Sequence, residues 1–467
     1  MERHLLDEYS VDAILGTSNV KIISAGNSIR YTFTEPPVNE EDRKIIQEII
    51  KSGKAGEYLR NEKNGLSNGV NYYLRRDTVG FDRIDVLMRD PNIEDISCEG
   101  PGSEVQVFLR KYGYTPSGIS FQEDELDRFV RRLVQGTGKQ ISFAVPMVDT
   151  TLSDGSRLHA FLGDYVSTKG SSFTIRRFRE KPLSFIDLIQ LGTADDEIMA
   201  FLWVAVQYGS NVMVIGGTAS GKTSFLNSVL QFIPASKKLV TIEDIREINI
   251  IHENWLQMVT RPGAPGTGEN NHGGEIDMFT LLEASLRHRP NYLVVGEVRG
   301  RESYTVFQAM SAGRYALSTF HAEDFEAFVH RMESTPINIP RQLISSLDLV
   351  ILVRSISTRN GLVRKVQEIS EVVEMDSETG EIVTNVLYRL DGDSYTFSGN
   401  SYLLQNISFR EGLSEEELLN QVKKRKLLLE KLRKRGVTDY NMLSSVVLRM
   451  EREPAKVLDE YGIRDQD

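Results

Sequence analysis

Asn211-Val212-Met213-Val214-Ile215-Gly216-Gly217-Thr218-Ala219-Ser220-Gly221-Lys222-Thr223 is the stretch that decides the fold. An apolar run ends in a full Gly-x-x-x-x-Gly-Lys-Thr match, and a helical pattern follows it. A strand feeding a glycine-rich loop that opens a helix is the P-loop arrangement. Glycine lets successive backbone N–H groups wrap closely round a phosphate, and the next helix points its positive end at the anion. Gly216 to Thr223 are therefore expected to bind a nucleoside triphosphate. Lys222 is expected to bridge the β- and γ-phosphates and Thr223 to hold Mg²⁺.

Outward from that loop, Leu239 to Ile242, Leu293 to Val295, Ala316 to Phe320 and Leu349 to Val353 are short apolar runs with helical patterns between several of them. Continuous apolar strands suit a parallel sheet covered on both faces, so residues 187–400 read as an α/β domain. Chemistry-bearing side chains recur where these strands end. Leu293-Val294-Val295-Gly296 delivers Glu297, Thr241-Ile242 delivers Glu243, and Leu317-Ser318-Thr319-Phe320 delivers His321. Ligands of parallel α/β sheets sit at the carboxyl edge, so these ends and the loop point to one shared site. Glu297 is expected to face the γ-phosphate and Mg²⁺, directly or through water. Glu243 is the other candidate to orient the attacking water, and His321 is expected to sense or contact the γ-phosphate.

The rest of the chain is long enough for more. At about 150 residues per domain, 467 residues suggest about three domains. Residues 1–80 mix short β-like runs with a helical segment, Glu40 to Lys51, and read as an N-terminal α/β extension. Residues 81–178 alternate helix and strand, with Leu126, Phe129, Val130 and Leu133 at helical spacing, and read as an α+β domain. A linker is expected at 179–186, around Pro182, and a helical tail at 401–467, where Ser414 and Glu417 form a capping box. The net charge of -11 weighs against a whole-surface grip on nucleic acid, which is not an expected partner. One cysteine, Cys98, allows no internal disulfide and no four-cysteine zinc site. The opening residues lack a signal-peptide core and no run approaches about 18 apolar residues, so the chain is expected in the cytosol. The tail gathers Lys423, Lys424, Arg425, Lys426, Lys431, Arg433, Lys434 and Arg435. This is either the solvated face of a packed amphipathic helix, the favoured reading, or a basic face for anionic membrane.

Taken together, these motifs resemble the type II/IV secretion ATPase superfamily, the motors of secretion systems, type IV pili and the archaellum, and are most similar to its archaeal branch. Asp90-Pro91-Asn92-Ile93-Glu94-Asp95-Ile96-Ser97 resembles the N-terminal domain signature. Ser153-Asp154-Gly155-Ser156-Arg157 and Phe173-Thr174-Ile175-Arg176-Arg177-Phe178 look like arginine-bearing strands. The Glu243 cluster resembles the Asp box, Gly296-Glu297-Val298-Arg299 the Walker B end, and Ser318-Thr319-Phe320-His321-Ala322 the His box. The resemblance implies a RecA-like motor domain that hydrolyses ATP with Mg²⁺. Glu297 is then the catalytic carboxylate, and Arg157, Arg176 and Arg177 are arginine fingers supplied by the N-terminal domain. It also implies a homohexamer at the inner membrane face, working with an integral membrane platform protein and, through it, pilin-like or secreted subunits. Other readings of the residues are a P-loop nucleic-acid translocase and a nucleotide-gated scaffold with little hydrolysis. Two departures bear on rate and metal arrangement: Arg289-Pro290-Asn291 has Asn where many relatives have Asp, and Gly313-Arg314 has Arg where many have His.

Overall fold

The computed structural model describes residues 3–26, 28–61, 65–178, 181–261, 275–358 and 361–464. The chain divides near residue 180 into two units, with a short piece around residue 361 assigned to the first. Positions 179 and 180 of the expected linker lie outside the described residues.

In the N-terminal unit, Arg3–Asp12, Thr17–Ala25 and Ser28–Phe33 form a three-stranded antiparallel sheet. A six-stranded sheet follows, ordered Gly113–Ser120, Glu104–Leu109, Ile93–Cys98, Ser172–Arg176, Arg157–Phe161 and Met147–Thr151. The helix Glu123–Gln135 buries Leu126, Phe129, Val130 and Leu133, the stripe that its spacing predicts. Residues from both sides of the expected break at residue 80 share a core, while Ile46, Ile49, Ala55, Val70 and Leu74 form a smaller one of their own. Val11, Val20, Ile22 and Tyr31 of the small sheet bury with Ile96, Val107 and Ile175 of the large one. The junction is also polar: the hydroxyls of Tyr9 and Tyr31 donate to Asp90 Oδ2 at 2.8 and 2.9 Å, which satisfies a fully buried carboxylate.

In the second unit, six strands run parallel in the order Trp255–Val259, Leu239–Glu243, Tyr292–Val295, Tyr315–His321, Val212–Gly216 and Leu349–Thr358. Gly361–Met375, Ile382–Asp391 and Ser394–Phe397 extend the sheet, the last two pairings being antiparallel. The P-loop strand is thus separated from the Glu297-bearing strand by the His321-bearing strand, a RecA-like order. Helix Asp196–Tyr208 is buried on nearly every side, as its unbroken apolar run from Ile198 to Val206 requires.

The helical tail, from Tyr402–Glu411 through Glu415–Lys434 to Tyr440–Arg452 and Pro454–Glu460, shares one core with this sheet. Leu418, Leu428, Leu429 and Leu432 pack in the same cluster as Ile198 and Leu202. The expected capping box is present, with Ser414 Oγ accepting from the Glu417 amide at 3.1 Å. Most of the tail's cations are spoken for. Arg425 is buried, donates to Gln207 at 2.7 Å and lies over Trp203. Lys426 pairs with Glu197, Arg433 with Asp196 and Lys434 with Glu430, while Arg435 lies over Tyr461. Arg425, Lys426 and Arg433 thus tie the tail helix to helix Asp196–Tyr208, as the favoured reading of a packed amphipathic helix expects.

Candidate nucleotide site

The P-loop strand Val212–Gly216 is buried throughout, and glycine is demanded both where it hands over to the loop, at Gly216, and where the loop enters the next helix, at Gly221. A Cβ on Gly216 would stand 2.2 Å from the carbonyl oxygen of Val353 and 2.6 Å from Ser220 Oγ. Gly221 sits at φ +92° as the residue before helix Lys222–Val229, a conformation that side chains rarely adopt. The first N–H groups of that helix have no intrahelical acceptor and so are available to an anion. Lys222 is buried, and its Nζ donates to the carbonyls of Gly216 and Gly217 at 3.1 and 2.9 Å.

His321 comes to the loop through strand register. Gly216 and His321 are Cα partners in the parallel pair, and Thr218 Oγ1 lies 2.8 Å from His321 Nε2. Glu297 follows the neighbouring strand Tyr292–Val295, two positions past its end. Two hydroxyls of the His321-bearing strand pin that end: Ser318 Oγ donates to the Val295 carbonyl and Thr319 Oγ1 to the Gly296 carbonyl, both at 2.8 Å. The sequence reading gave these two side chains no role. The available signal was two polar residues inside an otherwise apolar run, Ala316 to Phe320, which must find partners when it is buried.

The Glu297 carboxylate forms an ion pair with Arg299, whose guanidinium pKa is raised mainly by that contact and further by Asp244 and Glu247. Glu243 behaves differently. It is 2% exposed, and its Oε1 accepts the backbone N–H groups of Glu247 and Ile248 at 2.9 and 2.7 Å, with Gln257 Nε2 at 3.4 Å from Oε2. Burial pushes its pKa up from 4.5 to about 7, against the lowering effect of those hydrogen bonds. Glu243, expected to orient the attacking water, is thus enclosed by the loop that follows it and braces that loop.

Among the described residues no cluster of three or more His, Cys, Asp or Glu side chains could hold a metal. A donor set of one hydroxyl, Thr223, and one carboxylate, Glu297, suits Mg²⁺ arriving with phosphates, since that ion takes few protein ligands. The two departures lie away from this edge. Asn291 precedes its strand, where its Oδ1 accepts from the Lys238 amide at 2.8 Å, and Arg314 donates to the Pro290 carbonyl at 3.0 Å. Four strand residues separate Asn291 from Gly296, about 15 Å of extended chain, so Asn291 stands at the opposite end of its strand from Glu297.

In the other unit, Arg157 and Arg176 are register partners on adjacent strands. Arg157 grips Asp149 at 3.1 and 2.5 Å, and Arg176 lies 3.5 Å from Asp95. Arg177 turns inward, donating to the carbonyls of Asp90 and Ile93, and burial lowers its pKa. Arg177, the third arginine expected as a finger, ties these carbonyls together inside its own unit.

The family model described as Type II/IV secretion system protein matches residues 84–390. The chain belongs to this family. It is 35% identical over 383 residues to an uncharacterized protein of Methanocaldococcus jannaschii, covering 80% of this chain and 68% of that one. It is 26% identical over 329 residues to the probable conjugal transfer protein TrbB of Sinorhizobium fredii, covering 68% and 91%. Among solved structures it is similar to the Yersinia pseudotuberculosis ATPase DotB, at 16% identity and a TM-score of 0.46, over 82% of this chain and 95% of that one. No helix among the described residues is long and apolar enough to cross a membrane.

Proposed function

We propose that the protein is an Mg²⁺-dependent ATP hydrolase that works as a homohexameric motor at the cytosolic face of a membrane, driving assembly of a pilus-like filament or protein secretion. The observation that carries this reading is the 2.8 Å contact between Thr218 and His321, which joins the P-loop to the His box at the sheet edge where Glu297 emerges. Family membership supports the ATPase class, and the membrane platform and pilin-like or secreted subunits follow from that class.

In this reading the loop N–H groups and Lys222 hold the phosphates, Lys222 exchanging the Gly216 and Gly217 carbonyls for phosphate oxygens. Thr223 and Glu297 would hold Mg²⁺, whose charge would offset that of the phosphates. Glu297 orients a water for in-line attack and takes its proton as the bond from the γ-phosphorus to the ADP oxygen breaks. Arg299 holds the Glu297 carboxylate until the substrate competes for it. His321, through Thr218, reports on the γ-phosphate position. Arg157 and Arg176 supply cationic charge to the transferred phosphoryl group when the domains close, which couples hydrolysis to motion.

The test is phosphate release by the full chain. Glu297→Gln should bind ATP with wild-type affinity and lose at least about 100-fold in turnover. Equal and negligible rates in both proteins would instead favour a nucleotide-gated scaffold.

A further inference from the structure

Arg364 belongs to none of the motifs that mark the site. It lies on the strand Gly361–Met375, two residues before Val366, and Val366 is buried in the same core as Phe225 and Leu226 of the P-loop helix. Side chains two apart on a strand share a face, so Arg364 is directed to the face of the sheet that carries that helix. There its Nε donates to the carbonyl of Ala219 at 3.0 Å. Its Cδ runs so close to the loop that a Cβ on Gly221 would stand 2.9 Å away from it. Glycine at 221 therefore answers two demands, the left-handed backbone and the passage of the arginine stem.

The loop thus has two cations seated on its carbonyl groups: Lys222 on Gly216 and Gly217, and Arg364 on Ala219. Both stand beside the N-terminus of the helix Lys222–Val229, whose leading N–H groups point at anions. A guanidinium stays charged at any working pH and presents a planar fork that matches phosphate oxygens. We propose that Arg364 is a nucleotide-binding residue that, together with Lys222, recognises the diphosphate portion of a nucleoside di- or triphosphate. This rests on the nucleotide-binding reading of the P-loop and adds to it a contact from a strand outside the recognised motifs.

Calorimetric titration of the full chain with ADP, and with ATP in the Glu297→Gln background, tests it. Arg364→Met keeps an aliphatic stem over Gly221 and removes the guanidinium. It should weaken both nucleotides about tenfold, while Arg364→Lys, which restores charge without the fork, should weaken them about threefold. An Arg364→Met protein that binds ADP as the wild type does would overturn the proposal, leaving the side chain as packing for the loop. Should the methionine variant melt early without nucleotide, Arg364→Lys decides: wild-type ADP affinity overturns the proposal and a threefold loss upholds it. A wild-type chain that binds no nucleotide would fail the underlying functional reading, a result distinct from either.

Discussion

Replacing Glu243 by glutamine tests whether that carboxylate braces the loop or takes part in the chemistry. The side chain is 2% exposed and its pKa rises from 4.5 to about 7 because burial penalises the charged form. Between those values the folded protein holds a proton that the unfolded chain has lost. Stability therefore falls as pH rises through that window, and levels off above about 7. At about 1.4 kcal/mol per pK unit, the loss amounts to about 3 kcal/mol. Glutamine offers a carbonyl oxygen in place of Oε1, the atom that accepts both the Glu247 and Ile248 amides, and carries no charge at any pH. Glu243→Gln is thus expected to match the wild type near pH 4.5 and to exceed it by about 3 kcal/mol at pH 8. Both tryptophans, Trp203 and Trp255, lie in the P-loop unit, so denaturant unfolding followed by their fluorescence reads this difference directly. A variant no more stable than the wild type at pH 8 would refute the electrostatic argument. Turnover within about threefold of wild type is the expected companion result. A loss of 100-fold or more with the stability gain intact would return Glu243 to the chemistry.

The arginines of the N-terminal unit should separate by readout. Arg157→Ala and Arg176→Ala break pairs that water reaches, so stability should change by less than about 1 kcal/mol while ATP turnover falls about 1000-fold. Arg177→Ala removes the tie to the Asp90 and Ile93 carbonyls and should lower the thermal midpoint of that unit by several degrees in a calorimetric scan. Gly216→Ala drives a methyl group into the Val353 carbonyl, a backbone atom that cannot swing aside, and should abolish ADP binding in a titration.

Much of the site was legible before any coordinates. Strand ends can be read from apolar runs, and parallel strands put their ends at one edge, so Lys222, Glu297 and His321 could be grouped from sequence. Burial could not. Glu243 and Glu297 follow equally apolar runs, yet one carboxylate is enclosed by the turn after it while the other stays 28% exposed and paired with Arg299. Arg364 carried no signal at all, since a single arginine on a polar strand looks like any surface cation. The tail's basic cluster looked like a charged face because its partners, Glu197, Asp196 and Gln207, lie more than 200 residues earlier.

The sequence by itself determined the P-loop, the run of parallel strands and the family, because those depend on local periodicity and on glycines that backbone geometry demands. Tertiary structure alone decided which charges face outward. It turned Arg177 and Glu243 inward, paired Arg425, Lys426 and Arg433 of the tail with helix Asp196–Tyr208, and brought Arg364 to the rim of the loop. The physical reason is that a charged side chain's role is set by what surrounds it, and its surroundings come from segments far away in the chain.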